Sequence, residues 1–316
     1  EGYWRPNHEE ARGIIVITRP KKDLVEIFGY APDDTTTQCR SLWKLSACPF
    51  TNKQCTKANH DGSIIYGTCS VTSPFGDCVI CPNRLYEDNY AVLRTIASEA
   101  FDRDLKFLMY EQFIPVREKV KNCIVALGQN SGREVKIGTS LSMDWVLARI
   151  QNGKLVEYTG VEVQSIDITG NYRDSWHSYK NISKKTLVIP SSKHGMNWAN
   201  VHKRLIPQII RKGTIYSRSN FVKSGLYFVV PDIVYRKFEE IIGQDIPLLG
   251  KGGKDVLTIH TYELSPFKKH GEQRSLLMKK NIRFSLDEFS QRFISGPNLP
   301  SGEQLDSAVK RVLGVD

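Results

Sequence analysis

The sequence has no apolar run long enough to cross a membrane, which takes about 18 residues or more. It also has no internal repeats and no low-complexity tracts, and this excludes solenoid and compositionally disordered proteins. Acidic residues are outnumbered by basic ones, 34 against 44, and the formal net charge is +10. A basic balance favours a polyanionic partner, although net charge carries no information about the fold.

Cysteine is scarce outside one stretch of the chain. Of the 7 cysteines, five lie between residues 48 and 81, two of them as Cys78-x2-Cys81. An odd, clustered count in a long chain is not typical of a secreted disulfide framework. Four thiolates make a closed tetrahedral site for zinc or iron. Residues 39 to 85 therefore predict a structural metal site in a reducing compartment, with buried free thiols as the alternative.

Two strands joined by a turn are predicted between residues 143 and 167. The apolar run Trp145 to Ile150 is followed by the turn dipeptide Asn152-Gly153. A second run, Gly160 to Asp167, alternates apolar and polar residues as a half-buried strand does. We expect the two strands to pair.

Acidic and amide side chains of these strands predict a metal-dependent active site. Alternation places Glu162 and Gln164 on one face, about 7 Å apart, and pairing places Asp144 beside them. Two carboxylates suit a hard cation such as Mg²⁺, which promotes phosphodiester hydrolysis. Glu134 is a candidate third acid. The alternatives are a half-buried hairpin with an acid at each end and, for Glu134, a solvated strand position.

The pattern Asp…Glu-x-Gln is a variant of the nuclease pattern Asp…Glu-x-Lys. Gln164 stands in the lysine position. A neutral amide can orient a water molecule but cannot deprotonate it. A nuclease with this pattern would therefore depend on the metal for most of the water activation.

Basic side chains after these strands predict a surface that contacts a nucleic acid. Arg173 and Lys193 lie among aromatic residues, a composition that suits such a surface. A helix predicted over 196–212 carries Lys203 and Arg204 on its outer face, where they can follow phosphates. A merely solvated loop and a solvated basic face are the alternatives. Pro207 should kink this helix or mark its division.

The remaining periodicities predict an alternation of helices and strands. Further helices are expected over 21–30, 87–103, 232–242, 286–293 and 303–313. Further strands are expected over 121–126, 134–138, 226–230, 256–264 and 281–284.

Several motifs together give the chain a specific resemblance. The motifs, in order, are Cys48-Pro49-Phe50, Cys55, Cys69, Cys81-Pro82-Asn83-Arg84, Asp144-Trp145, Glu162-x-Gln164, Gly170-x-Tyr172, Gly195-x-Asn197 and Asn200-Val201-x-Lys203-Arg204. In these motifs the chain resembles the NotI family of type II restriction endonucleases, over roughly residues 25 to 295. Their combination is much more specific than any one motif.

The resemblance implies a mixed α/β (α+β) fold with a PD-(D/E)XK restriction-endonuclease-like core, a central mixed sheet flanked by helices. This nuclease domain would span residues 91–316, after an N-terminal region, residues 1–90, that holds a four-cysteine metal-binding module. Asp144 and Glu162 would be ligands of Mg²⁺, Gln164 would take the lysine position, and Glu134 would be the additional acid.

The resemblance also assigns the cysteines and the DNA contacts. The family's iron site would fall on Cys48, Cys55, Cys69 and Cys81. Cys78 has no counterpart there and is a substitute ligand, and chemistry alone favours zinc. The residues expected to contact DNA are Arg173, Lys193, Asn197, Asn200, Lys203 and Arg204.

The resulting expectation is a homodimeric enzyme of the bacterial cytoplasm that hydrolyses both strands of duplex DNA at a palindromic site, without a membrane partner. Two alternatives stay open. One is a catalytically silent, sequence-specific DNA-binding protein on a nuclease fold. The other is a nuclease directed to modified DNA.

Overall fold

The structure is a computed structural model that describes residues 16–101, 105–138, 141–182 and 186–314. The strands are β1 Val16–Thr18, β2 Leu24–Ile27, β3 Ala47–Cys48, β4 Lys53–Gln54, β5 Thr68–Ser73, β6 Gly76–Val79, β7 Phe107–Met109, β8 Cys123–Gly128, β9 Val135–Ile137, β10 Leu141–Met143, β11 Trp145–Gln151, β12 Lys154–Val163, β13 Ile168–Thr169, β14 Thr186–Val188, β15 Gly195–Met196, β16 Val222–Pro231, β17 Val256–Leu264 and β18 Leu276–Ser285.

The helices alternate with these strands. They are α1 Thr37–Leu45, α2 Glu87–Phe101, α3 Tyr110–Phe113, α4 Arg173–Lys180, α5 Ile206–Ser217, α6 Asp232–Ile242, α7 Leu286–Ser295 and α8 Gly302–Leu313, with 3-10 turns at Pro82–Tyr86, Ile114–Val116 and Gln129–Ser131 and a π-helical turn at Val201–Leu205.

A seven-stranded mixed sheet forms the centre of the molecule, in the order β18-β17-β16-β12-β11-β8-β7. The hairpin β11–β12 pairs antiparallel, and so do β8 with β11 and β17 with β18. The strands β12, β16 and β17 run parallel to one another. This arrangement confirms the expected central mixed sheet.

Helices cover both faces of this sheet because alternate strand residues are apolar on each side. On one face, α2 packs through Leu93 and Ile96 against Trp145 and Val161. On the other face, α5, α6 and α7 contribute Ile209, Phe238 and Phe289 to a second apolar cluster. Strands buried on both faces are typical of sheets with helices on either side.

Residues 21 to 30 contain strand β2, Leu24–Ile27, and no helix, so the predicted helix there is wrong. β2 is the edge of a three-stranded sheet, β2-β5-β6, and pairs antiparallel with β5. The apolar spacing of Leu24 and Ile27 fits a helix as well as a strand, and pairing with β5 decides between them. Phe28 and Gly29, with φ of 48° and 79°, then turn the chain.

The predicted helix over 196–212 has different boundaries. Met196 belongs to β15, a π-helical turn spans Val201–Leu205, and α5 runs from Ile206 to Ser217. Pro207 lies in the first turn of α5 and marks the expected division, since a first-turn proline has no amide that needs a helical partner.

Most other predicted elements are confirmed with shifts of their ends. The strand predicted over 160–167 differs more, because β12 begins at Lys154 and ends at Val163, and the strand predicted over 281–284 is the end of the longer β18. The last residues of the helix predicted over 87–103 lie outside the described residues, and α2 departs from helical dihedral angles at Asp88, Asn89 and Tyr90. Within the described ranges, no helix combines the length and the apolar character that a membrane span needs.

Candidate active site

Asp144 and Glu162 lie opposite each other at the open end of the β11–β12 hairpin. The turn Asn152-Gly153 has φ values of 51° and 74°, which asparagine and glycine adopt readily. From this turn the strands pair antiparallel up to Trp145 and Val161. The next residue on each strand is one of the two acids, and the hairpin register therefore brings them together.

Hydrogen bonds join the two acids and Gln164 into one group. The Asp144 amide donates to Glu162 Oε1 at 3.3 Å. Asp144 Oδ2 accepts from the Val163 amide at 3.1 Å and from Gln164 Nε2 at 2.9 Å. The amide side chain in the lysine position therefore orients one of the two carboxylates.

Lys212 of α5 donates to the other carboxylate, at Glu162 Oε2. Both side chains are buried, with 7% of Lys212 and 3% of Glu162 exposed. Burial raises the pKa of Glu162, the Asp144 carboxylate raises it further, and Lys212 lowers it. Glu162 is thus a carboxylate held between an opposing negative charge and a compensating positive one.

An open groove passes in front of these side chains. One part of it contains both Glu134 and Asp144, and the adjoining part shares Lys57, Pro82 and Gln164 with the first. We call this the active-site groove. Its lining includes Thr51, Lys53, Gln54, Thr56, Lys57, Cys81, Pro82, Asn83, Tyr86, Gln129, Asn130, Glu134, Asp144, Trp145, Val163, Gln164, Ser165, Asp167, Asn200, Arg204 and Gln208.

Glu134 faces the groove at some remove from the two central acids. Its carboxylate pairs with Lys136 at 3.1 Å. Within the described ranges, no three His, Cys, Asp or Glu side chains are arranged closely enough to hold a metal ion. The donors at the centre of the site are nonetheless carboxylate and amide oxygens, the type that Mg²⁺ prefers.

Four of the clustered cysteines are electrostatic neighbours. Burial raises the pKa of Cys55 to about 11, and the nearby Cys81 and Cys48 thiols raise it further. Cys69 interacts in the same way with Cys81 and Cys55. These interactions place Cys55 near Cys48, Cys69 and Cys81, although among the described residues no three of these thiols are arranged closely enough to hold a metal ion.

Backbone amides point at two of these sulfurs. The Lys57 amide donates to Cys55 Sγ at 3.4 Å. The amides of Asn83 and Arg84 lower the pKa of Cys81, although burial raises it more. Donors aimed at sulfur favour the thiolate, and four thiolates suit zinc or iron.

Cys78 lies in a different environment from these four. Its side chain belongs to the apolar cluster that contains Leu24 and Val71, and its Sγ lies 3.6 Å from the Val79 carbonyl. Burial raises its pKa well above the usual range of a thiol. A buried free thiol describes it better than a ligand.

The residues expected to contact DNA fall into two sets. Three of them converge on Asp167. Its backbone carbonyl accepts from the Asn197 backbone amide at 2.9 Å, and its carboxylate accepts from Asn200 Nδ2 at 2.7 Å and from Arg204 NH1 at 3.2 Å. The others are exposed, with Arg173 at the start of α4, Lys193 before β15 and Lys203 in the π-helical turn.

Sequence reasoning missed Lys212 and the lysines on the wall of the groove, Lys53 and Lys57. Lys212 did carry a signal, because it continues the 3–4 residue spacing of the buried positions Leu205 and Ile209. A lysine on the buried stripe of a helix needs a partner inside the protein. The two groove lysines flank Cys55 and have no signal beyond their charge.

Asp144 and Gln164, which adjoin β11 and β12 of the sheet, line a groove that also has lysines in its lining, and a second carboxylate, Glu162, is hydrogen-bonded to Asp144. This arrangement suits a metal-dependent nuclease. The family model described as restriction endonuclease NotI matches residues 27–230, nearly two thirds of the chain. The chain therefore belongs to the NotI restriction endonuclease family, hydrolases whose substrate is DNA. No curated protein matches it.

Proposed function

We propose that this protein is a type II restriction endonuclease that hydrolyses both strands of duplex DNA at a palindromic site and depends on Mg²⁺. One observation carries the proposal. Asp144 lines the groove, and its backbone amide donates a hydrogen bond to the buried Glu162, within the segment that matches the family. The net charge of +10 suits a DNA substrate.

In the proposed mechanism, Asp144 and Glu162 would hold the metal. A water molecule attacks the scissile phosphorus in line and loses a proton to solvent, and its oxygen stays on the 5′-phosphate, while the P–O3′ bond breaks and the 3′-oxygen takes up a proton from solvent. Bound there, Mg²⁺ would polarise the phosphate and lower the pKa of water. Gln164 keeps the Asp144 carboxylate in place through its amide. Glu134, on the wall of the same groove, would assist as the additional acid.

The second metal site of the proposal is structural. Cys48, Cys55, Cys69 and Cys81 would hold one iron or zinc ion, since these thiols are neighbours and two of them receive amide hydrogen bonds. The site would fix the loops that carry Lys53 and Lys57 along the groove. It would belong to an N-terminal region, residues 1–90, before a nuclease domain of PD-(D/E)XK type, residues 91–316.

The proposal also places DNA along the groove. Asn200 and Arg204 line it, and Arg173, Lys193, Asn197 and Lys203 would add contacts to phosphates or base edges. A palindromic site has a twofold axis, which a symmetric homodimer matches. Sedimentation of the protein with and without a short cognate duplex would test that assembly.

The first experiment is digestion of unmodified bacteriophage DNA with Mg²⁺ and sequencing of the ends. Glu162→Gln and Asp144→Asn keep the shape of the site and remove one charge each, and both should abolish cleavage. Glu157→Gln is the matched control. This glutamate is also buried on β12 and paired with a cation, Arg149, but lies about 17 Å along the strand.

The outcomes separate the proposal from its alternatives. Discrete ends at one palindrome, lost in Glu162→Gln and kept in Glu157→Gln, would support it. Tight, salt-sensitive binding without cleavage on any substrate would support a silent DNA-binding protein. Cleavage of methylated DNA alone would support a nuclease directed to modified DNA.

The cysteine site has its own test, the metal content of the purified protein. Cys69→Ser should lose the ion and part of the stability. Cys78→Ser should keep the ion, because Cys78 packs in the apolar cluster. Loss of the metal in Cys78→Ser and retention in Cys69→Ser would contradict the proposed ligand set.

A further inference from the structure

We propose that Lys212 is a positioning residue of the hydrolytic site, which holds one oxygen of Glu162 and supplies from helix α5 the positive charge that the Glu-x-Gln pattern lacks. The inference rests on the proposed function and deepens it. It is carried by helix packing, burial and charge at the site.

Helix α5 lies directly against strand β12. A Cβ atom on Gly160 would lie 2.2 Å from Cζ of Tyr216, and only glycine therefore allows this approach. Two strand residues span about 6.6 Å, and four helical residues span about 6 Å. With the Tyr216 ring over Gly160, the residue one turn earlier on the helix lies over Glu162, and that residue is Lys212.

The same register continues into the groove. Gln208 precedes Lys212 by one turn of the helix, and Gln164 follows Glu162 by two residues. Both glutamines line the groove. The helix thus offers a tyrosine to Gly160 and a lysine to Glu162 on one face of β12, and a glutamine to the groove just past the end of that strand. The contact between Lys212 Nζ and Glu162 Oε2 follows from this packing.

Stability alone does not account for an ion pair at this position. A buried ammonium group is costly unless it is paired, and replacing a buried ion pair by apolar residues is often neutral or stabilising. Lys212 occupies a stripe that otherwise holds Leu205 and Ile209. With Glu162 kept for the site, an apolar residue here would leave a buried carboxylate unpaired, and the placed positive charge is therefore what the lysine adds.

Each of the two acids has its own polar partner. Gln164 donates to Asp144, and Lys212 donates to Glu162. The first partner is neutral, so it cannot offset the repulsion between the carboxylates. The second partner is cationic and fixed, and a preorganised cation stabilises negative charge that develops in a transition state.

Three variants separate a placed charge from mere packing. Lys212→Met removes the charge and keeps the length of the side chain, and Lys212→Arg keeps the charge. Gln164→Lys combined with Lys212→Met returns the charge from the strand instead of the helix. Arg149→Met is the matched control, since it breaks another buried ion pair of the hairpin.

Single-turnover cleavage with saturating Mg²⁺ should slow about 100-fold in Lys212→Met, the usual scale for loss of one preorganised electrostatic group. DNA affinity measured in Ca²⁺ should stay within about threefold. The double variant Gln164→Lys with Lys212→Met should cleave about tenfold faster than Lys212→Met alone. Lys212→Arg should also retain more activity than Lys212→Met. Arg149→Met should cleave at the wild-type rate.

Binding of Mn²⁺ without DNA, followed by electron paramagnetic resonance, gives a readout besides cleavage. At a pH high enough for Glu162 to be ionised in every variant, removal of a nearby positive charge should leave Mn²⁺ affinity intact or increase it. Weaker Mn²⁺ binding in Lys212→Met would mean that the site has lost its shape, and would overturn the proposal. Wild-type cleavage in Lys212→Met, or no recovery with Gln164→Lys, would also overturn it.

Failure of the proposed function is distinguishable from failure of this inference. A wild-type protein that cleaves no duplex with Mg²⁺ or Mn²⁺ would refute the nuclease. The Mn²⁺ affinities of the wild type, Lys212→Met and Lys212→Arg would still decide whether Lys212 acts through its charge. If Lys212→Met does not fold, Lys212→Gln takes its place in every comparison.

Discussion

Replacement of Arg84 by methionine should destabilise the protein strongly, because its guanidinium is fully buried and contacts several segments of the chain. Its Nε lies 3.0 Å from Glu26 on β2, its NH1 lies 2.7 Å from Glu87 at the start of α2, and its NH2 donates to the Arg274 carbonyl at 2.6 Å. Its plane lies over the Phe50 ring, 4.6 Å from the centroid.

The expected loss of stability depends on the two carboxylates, Glu26 and Glu87, that lose their partner. Glu26 has 1% of its side chain exposed, and a buried charge that loses its partner costs about 3–5 kcal/mol. Glu87 is 24% exposed and contributes less, since water screens it. We expect Arg84→Met to lower the free energy of unfolding by about 4 kcal/mol, a large share of the roughly 5–15 kcal/mol of a typical domain.

The assay is urea unfolding followed by fluorescence and circular dichroism, with the shift of the midpoint converted through the measured slope. Combining Arg84→Met with Glu26→Gln removes both charges and should recover at least half of the loss. A loss below about 1 kcal/mol, or a double variant no more stable than the single one, would refute the reasoning.

Three further predictions concern the site. Gly160→Ala forces a Cβ against the Tyr216 ring, so urea unfolding should show a loss of about 1–3 kcal/mol together with slower cleavage; wild-type values in both would contradict the packing. Because burial and then Asp144 raise the pKa of Glu162, protons compete with the metal below that pKa. The Mg²⁺ concentration for half-maximal cleavage should therefore fall as pH rises. The metal-free protein should lose stability as pH rises from 4.5 toward the raised pKa. A Mg²⁺ requirement independent of pH would contradict this. Arg204→Ala should reduce the salt slope of DNA binding by about 0.9 if Arg204 contacts one phosphate, and an unchanged slope in a titration would show that it does not.

Local sequence patterns were sufficient to predict the parts of the structure whose geometry is decided by residues close together in the chain. The turn at Asn152-Gly153 and the alternation through Glu162 and Gln164 predict a hairpin, and the side-chain period of two then places Asp144 beside Glu162. Most helix and strand ends follow from the same periodicities, because burying an apolar face requires it. The site's two central acids were therefore predictable from short stretches of chain.

Residues 21 to 30 show where such patterns are insufficient. Leu24 and Ile27 have a spacing that suits a helix, yet the segment is a strand because β5, more than forty residues later, supplies its hydrogen-bond partners. Pairing with a distant strand is absent from the local sequence, and it overrides a short apolar period.

The sequence by itself determined the acids, their spacing and the basic charge of this protein, since each depends on residue type and on periods of a few residues. Tertiary structure alone decided which helix meets the β11–β12 hairpin. A glycine on the strand and a tyrosine on the helix set that contact, and it brings Lys212 to a carboxylate fifty residues away in sequence. Such a contact depends on how two complementary surfaces pack, which no single stretch of chain encodes.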